Sequence, residues 1–160
     1  MPLATSRTGS LYGLIQTIFL CVFAAAIFLA PRTPLLLKGQ IARTIGGVLC
    51  LAGLALLFAG VRRLGRNIQV NPAPKENATL VTTGIYRWFR HPIYTAILVI
   101  VAGLFLRQST LAVALAALVV TFYLAIKIRF EEKLLMARYP DYERYRKRSW
   151  GLVPWPRRFS

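Results

Sequence analysis

Residues 80–94, LVTTGIYRWFRHPIY, set the only histidine of the chain, His91, beside Arg90 and Pro92, with Tyr86, Trp88, Phe89 and Tyr94 close by. Arg90 and His91 offer donors for an anion, and the aromatic rings offer flat faces for a heterocycle or a cation. Gly84 supplies a turn, and Pro92 marks the point where the backbone enters or leaves a helix. A second polar cluster, residues 127–133 with the sequence KIRFEEK, adds Lys127, Arg129, Glu131 and Glu132. On a helix Tyr123, Lys127 and Glu131 share one face at i, i+4 spacing, and Arg129 shares another with Glu132. As a bare pattern, the two glutamates are also what any helix end emerging into water carries. Ionisable groups at a membrane boundary are costly, however, and tend to mark sites.

The elements that must position these residues are apolar. The chain is 56% hydrophobic with a mean hydropathy of +0.53, which suggests a membrane protein of one domain's length. It also carries 21 Lys and Arg against 5 Asp and Glu, a formal charge of +16. The basic residues fall between and after long apolar runs, and no zinc-finger, helix-turn-helix or RNP pattern accompanies them. They therefore read as contacts to anionic lipid headgroups and not to nucleic acid. Cys21 and Cys50 sit among apolar neighbours and read as small hydrophobes, with no disulfide framework or metal site.

Residues 11–30 are long and uncharged enough for a retained first span, and residues 45–61 for a second. In the second, Gly46, Gly53 and Gly60 recur every seven residues, so one side can approach another helix closely; glycine is also simply common in membrane helices. A long polar loop follows up to Pro92. Residues 93–106 and 111–126 read as a helical hairpin with its turn at residues 107–110. The tail from residue 133 interleaves basic and aromatic residues, including Trp150 and Trp155, and reads as interfacial.

A four-span arrangement puts only Arg32, Lys38, Arg43 and Arg107 on one side and the rest of the 21 basic residues on the other. The positive-inside rule then places both termini, the long loop and both polar clusters in the cytoplasm. The expected architecture is an all-α integral membrane helical bundle of about four transmembrane helices, with a C-terminal helical hairpin and a cytoplasmic amphipathic tail. Residues 1–66 would form the N-terminal spans and residues 67–160 the catalytic region. Because a hairpin brings its two ends together, His91 and Tyr94 should neighbour residues 127–132.

The succession LVTTGIYRWFRHPIY, apolar hairpin, K-x-R-x-E-E, YPDYERYRKR and a closing W-G-L-V-P resembles the isoprenylcysteine carboxyl methyltransferase family, with its bacterial relatives and the related phospholipid N-methyltransferases. The resemblance covers about residues 67–156. It implies an integral membrane enzyme that transfers a methyl group from S-adenosyl-L-methionine, with cofactor contacts at Leu80, Val81, Tyr86, His91, Pro92, Ile93, Tyr94 and Glu131. Glu132 is a second candidate carboxylate for the donor's ammonium group, and Arg90 or His91 for its carboxylate. Eukaryotic members carry an arginine, implicated in acceptor binding, four residues before the glutamate. Lys127 stands there in this chain, with Arg129 two residues on, so either is the candidate acceptor-binding cation. Asn71 stands where some members have a cofactor-contacting glutamine, a weaker match.

Methyl transfer from a sulfonium needs alignment more than a metal. A carboxylate acceptor needs no base, whereas an amine must lose a proton, with His91 as the candidate base. The expected acceptor is lipophilic: an isoprenylcysteine-like carboxylate, a phospholipid amine or a thiol. A nicotinamide-dependent membrane reductase and a non-catalytic protein that retains the fold are the alternatives.

Overall fold

The computed structural model describes residues 39–65 and 79–152, together with Leu14, Ile18, Cys21, Val22, Phe23 and Ala25. Most of the expected first span, the loop residues 66–78 with Asn71, and Trp155 lie outside the described residues. What is described is helical, without a strand. Helix α1 spans Gln40–Leu64, a 3-10 turn Gly84–Arg87, α2 Pro92–Gln108, α3 Leu111–Arg138 and α4 Tyr142–Arg148.

The glycine spacing decides how α1 sits. Its buried residues are Gly46, Gly53 and Gly60, and all three face α2. A Cβ on Gly46 would stand 2.5 Å from the Gly103 carbonyl oxygen, one on Gly53 would stand 2.6 Å from Ile100, and one on Gly60 would stand 3.1 Å from Ile93. The reciprocal Cβ on Gly103 would meet the Gly46 carbonyl oxygen at 2.6 Å and the Cys50 sulfur at 2.8 Å. The two backbones thus touch along a seam that no side chain fits, which is how small residues bring apolar helices together. The opposite side of α1 leaves Ile41, Val48, Leu51, Leu54 and Phe58 exposed, a face suited to hydrocarbon. By length and composition α1 and α3 are each able to cross a membrane; α2 is apolar but shorter.

Pro92 occupies the first turn of α2, where its missing N–H costs nothing. The turn to α3 is tighter than expected. Ser109 takes a left-handed conformation (φ 47°), and the Thr110 hydroxyl caps α3 by accepting from the Val113 amide at 3.3 Å. Val101 of α2 packs in one cluster with Ala116, Val120 and Leu124 of α3, joined by Phe23 of the first apolar run. The hairpin expected from the sequence is therefore present.

Helix α3 runs on past its apolar part at 111–126, carries the whole KIRFEEK cluster in the helical pairing expected of Tyr123, Lys127 and Glu131, and ends at Arg138. Glu, Lys, Leu, Met, Ala and Arg are all good helix formers, so nothing breaks the helix until Tyr139, which is held extended (φ −115°, ψ 109°) by Pro140 after it. The tail, read as interfacial, folds back in its described part onto residues 84–95, with Tyr142 and Ser149 buried.

Candidate active site

Three segments converge at the open end of the hairpin: the 3-10 turn with residues 88–91, the first turn of α2, and residues 127–132 of α3. Gly84 starts the turn at φ +65°, a conformation that L side chains rarely adopt. The Arg63 side chain donates to both oxygens of Thr83 and so ties the end of α1 to the turn.

Glu132 accepts a hydrogen bond from Arg90 Nε at 2.7 Å and lies 3.3 Å from His91 Nε2 and 3.7 Å from Arg146 Nε. Glu131, one residue earlier, accepts from the Tyr94 hydroxyl at 2.6 Å and lies 3.8 Å from His91 Nδ1 and 4.0 Å from Lys127 Nζ. His91 thus stands between two carboxylates, one toward each ring nitrogen. Its ring stacks on Tyr94 with centroids 5.6 Å apart, and the ammonium of Lys127 lies 5.4 Å from the centre of the same tyrosine ring. His91 and Lys127 are buried, so these charges meet in an environment of reduced dielectric, where pairing and hydrogen bonding are strong. The hairpin geometry alone accounts for the meeting: Tyr94 and Glu131 are 37 residues apart in sequence.

The remaining expected residues fall in four places. Tyr86 is buried, and burial pushes its phenol well above the ordinary range. Pro92 and Ile93 pack against Gly60 at the foot of the α1–α2 seam. Leu80 and Val81 are half-buried on the approach to the turn, and Arg129 is exposed on α3, away from the cluster.

Sequence reading missed what Arg90 does. Besides Glu132, its guanidinium donates through Nη1 to the carbonyls of Arg146 (2.9 Å) and Ser149, and a Cβ on Gly151 would stand 3.3 Å from Nη2. The Arg90 amide donates to the Trp150 carbonyl and the Trp150 amide to the Trp88 carbonyl, both at 2.8 Å, forming a short parallel bridge. Trp150 stacks on Trp88, centroids 5.9 Å apart, and lies at 5.8 Å from Phe89. Thr95 donates to the Leu152 carbonyl at 2.8 Å, and Tyr145 to the Tyr86 carbonyl at 2.6 Å. The aromatic shelf of Trp88 and Phe89 therefore receives the tail. Among the described residues, no three His, Cys, Asp or Glu side chains converge to hold a metal ion.

The described residues thus form a helical fold with two helices long and apolar enough to cross a membrane, and with carboxylates, a histidine and an arginine gathered at one end of an apolar hairpin. The match to known sequences is specific. Residues 41–142 match the phospholipid methyltransferase family, and the chain belongs to it. All of the polar cluster except Arg146 lies within that match.

Among curated relatives, a cobalt-zinc-cadmium resistance protein of Cupriavidus metallidurans is 32% identical over 108 residues, covering 67% of this chain and 49% of the relative. A nickel-cobalt-cadmium resistance protein of Alcaligenes xylosoxydans is 33% identical over 103 residues, 63% of this chain and 47% of the relative. The methanethiol S-methyltransferase of Mycobacterium tuberculosis is 37% identical over 77 residues, 48% of this chain and 31% of the relative. The chain thus spans half or less of the length of these relatives. No solved structure matches it significantly.

Proposed function

We propose that this chain is a membrane-embedded methyltransferase that uses S-adenosyl-L-methionine to methylate a lipophilic acceptor. The observation that carries the reading is the convergence of Glu131 and Glu132 with Arg90, His91 and Tyr94 at one end of the hairpin, inside the stretch that matches a methyltransferase family. The donor set suits the cofactor: carboxylates for an ammonium group, His91 for a carboxylate, and the Tyr86 and Tyr94 rings for adenine or a sulfonium. When bound, S-adenosyl-L-methionine supplies an activated methyl group to a nucleophile aligned with its carbon–sulfur bond.

The chain's own part is to bind and align. Tyr94 fixes one Glu131 oxygen, and Arg90 fixes one Glu132 oxygen, so the carboxylates are held before any ligand arrives. Leu80, Val81, Pro92 and Ile93 give the apolar border. Lys127, buried beside Tyr94, is better placed than the exposed Arg129 to attract the anionic head of an acceptor. A carboxylate or thiolate acceptor is drawn by that ammonium, whereas an ammonium headgroup is repelled until it loses a proton, for which His91 is the acceptor within the cluster. A thiol is among the acceptors to test first, given the methanethiol-methylating relative. The excess of basic residues on the polar end favours a cytoplasm-facing site against anionic lipid.

The test is calorimetric binding of S-adenosyl-L-methionine and its demethylated product to detergent-purified protein, beside Glu131→Ala. Micromolar binding lost in the variant supports the reading. No binding by folded wild-type protein overturns it.

A further inference from the structure

The tail contact at Tyr145 has a geometry that packing alone does not require. In the turn Gly84–Arg87, the amides of both Trp88 and Phe89 donate to the Ile85 carbonyl, at 3.1 Å each. The next carbonyl, that of Tyr86, receives its hydrogen bond from the Tyr145 hydroxyl at 2.6 Å, across 59 residues of sequence. That bond fixes the plane of the peptide unit joining Tyr86 to Arg87, and with it the direction in which the buried Tyr86 ring leaves the backbone. Burial pushes the Tyr145 phenol up to about 12, so it remains a neutral donor throughout the physiological range. Its ring is held edge-on against Tyr142 at 5.8 Å, and its backbone carbonyl accepts from the Ser149 hydroxyl at 2.7 Å. The donor is itself held on both sides.

We propose that Tyr145 is a positioning residue for the cofactor site: its hydroxyl, through the Tyr86 carbonyl, sets the turn whose aromatic ring and following Arg90–His91 pair form one wall of that site. This rests on the methyltransferase reading for the identity of the ligand, but not for the contact itself. Tyr145 touches no reacting group. Its effect is therefore on the affinity for S-adenosyl-L-methionine and on the order of residues 84–91, and not on helix content.

The experiment compares wild type, Tyr145→Phe and Thr95→Val in detergent by calorimetric binding of S-adenosyl-L-methionine, amide hydrogen exchange over residues 84–91 and thermal melting. Thr95→Val removes a tail bond of the same length class at Leu152, together with the longer contact of that hydroxyl to the His91 carbonyl at 3.2 Å, and touches neither Trp88 nor Phe89. The expected result is about 3- to 10-fold weaker binding and faster exchange at Trp88 and Phe89 for Tyr145→Phe, the range set by loss of one hydrogen bond, with melting lowered no more than in Thr95→Val. Thr95→Val should leave exchange at those two amides as in wild type. Equal affinity and exchange in Tyr145→Phe overturn the proposal, as does a loss of affinity that Thr95→Val reproduces at the same fall in melting temperature. If wild type itself does not bind the cofactor, the methyltransferase reading fails while exchange at Trp88 and Phe89 still decides the role of Tyr145.

Discussion

Glu132→Gln is the sharpest probe of the polar cluster, because it changes one charge and almost no volume. The Arg90–Glu132 pair is 2.7 Å long, with side chains only 7% and 14% exposed. Water therefore cannot take over when the carboxylate is neutralised, and Arg90 is left as a buried cation with carbonyls as its principal remaining partners. A hydrogen bond to a charged group is worth roughly 1.5–3 kcal/mol, and removing one partner of a buried ion pair costs about 3–5 kcal/mol. Glutamine keeps an acceptor oxygen, so the expected loss is about 2–3 kcal/mol. At roughly 2–4 °C per kcal/mol for a chain of this size, the melting temperature falls by about 4–12 °C. Circular dichroism in detergent at a fixed scan rate reads it. Asp141→Asn is the control: its pair with Arg144 is 3.7 Å long but 74% and 82% exposed, and its loss should move melting by about 1 °C at most. Replacing Arg90 by Met together with Glu132 by Leu should rescue only part of the loss, because the Arg146 and Ser149 carbonyls then lose their donor. A Glu132→Gln protein that melts within a degree of wild type refutes the reasoning.

Three further outcomes follow from the same geometry. Gly46→Ala should destabilise by about 1–3 kcal/mol through overpacking, since its Cβ meets the Gly103 carbonyl at 2.5 Å, whereas Gly47→Ala meets only the Arg107 guanidinium at 3.0 Å and should be tolerated; paired thermal melts in detergent decide. Ionisation of Tyr145 is suppressed in the fold from an ordinary value near 10 to about 12. Its contribution to stability is therefore present below pH 10 and lost as pH rises toward 12, and Tyr145→Phe should flatten the fall in melting temperature over that window without abolishing it, since Tyr86 and Tyr142 are shifted the same way. Lys127→Met should reduce methyl transfer to a thiol or carboxylate acceptor by about tenfold or more, the scale of one buried charged contact, with cofactor affinity changed less; Arg129→Met should change neither, and labelled-methyl assays separate the two.

The hairpin and the meeting of its ends were legible because topology fixes them: two apolar segments joined by a short turn must return their polar flanks to one place. Gly46, Gly53 and Gly60 were legible through their spacing, and Gly84 and Pro92 through the backbone conformations that they favour. How far α3 runs past Glu132 was not, since helix propensity continues to Pro140 with no apolar pattern to mark the end. The tail was least legible. Its hold on residues 86–95 uses backbone carbonyls and amides at Tyr86, Trp88, Arg90, Trp150 and Leu152, and such groups leave no mark on the pattern of side chains. For that reason Arg90 read as a ligand-binding group, whereas most of its donors are directed at the protein itself.

The parallel bridge between Phe89 and Trp150 also bears on the order in which the molecule is made. Arg90 precedes the Arg146 and Ser149 carbonyls that receive its Nη1 by 56 and 59 residues, so a nascent hairpin that already contains Glu132 still lacks the acceptors of Nη1 and of the Arg90 amide. The cluster can close fully only once residues 146–150 have been made. A chain cut short before Arg146 would hold both helices of the hairpin and the Arg90–Glu132 pair, yet lack the two carbonyls and the bridge that fasten Arg90 and Phe89 to the tail.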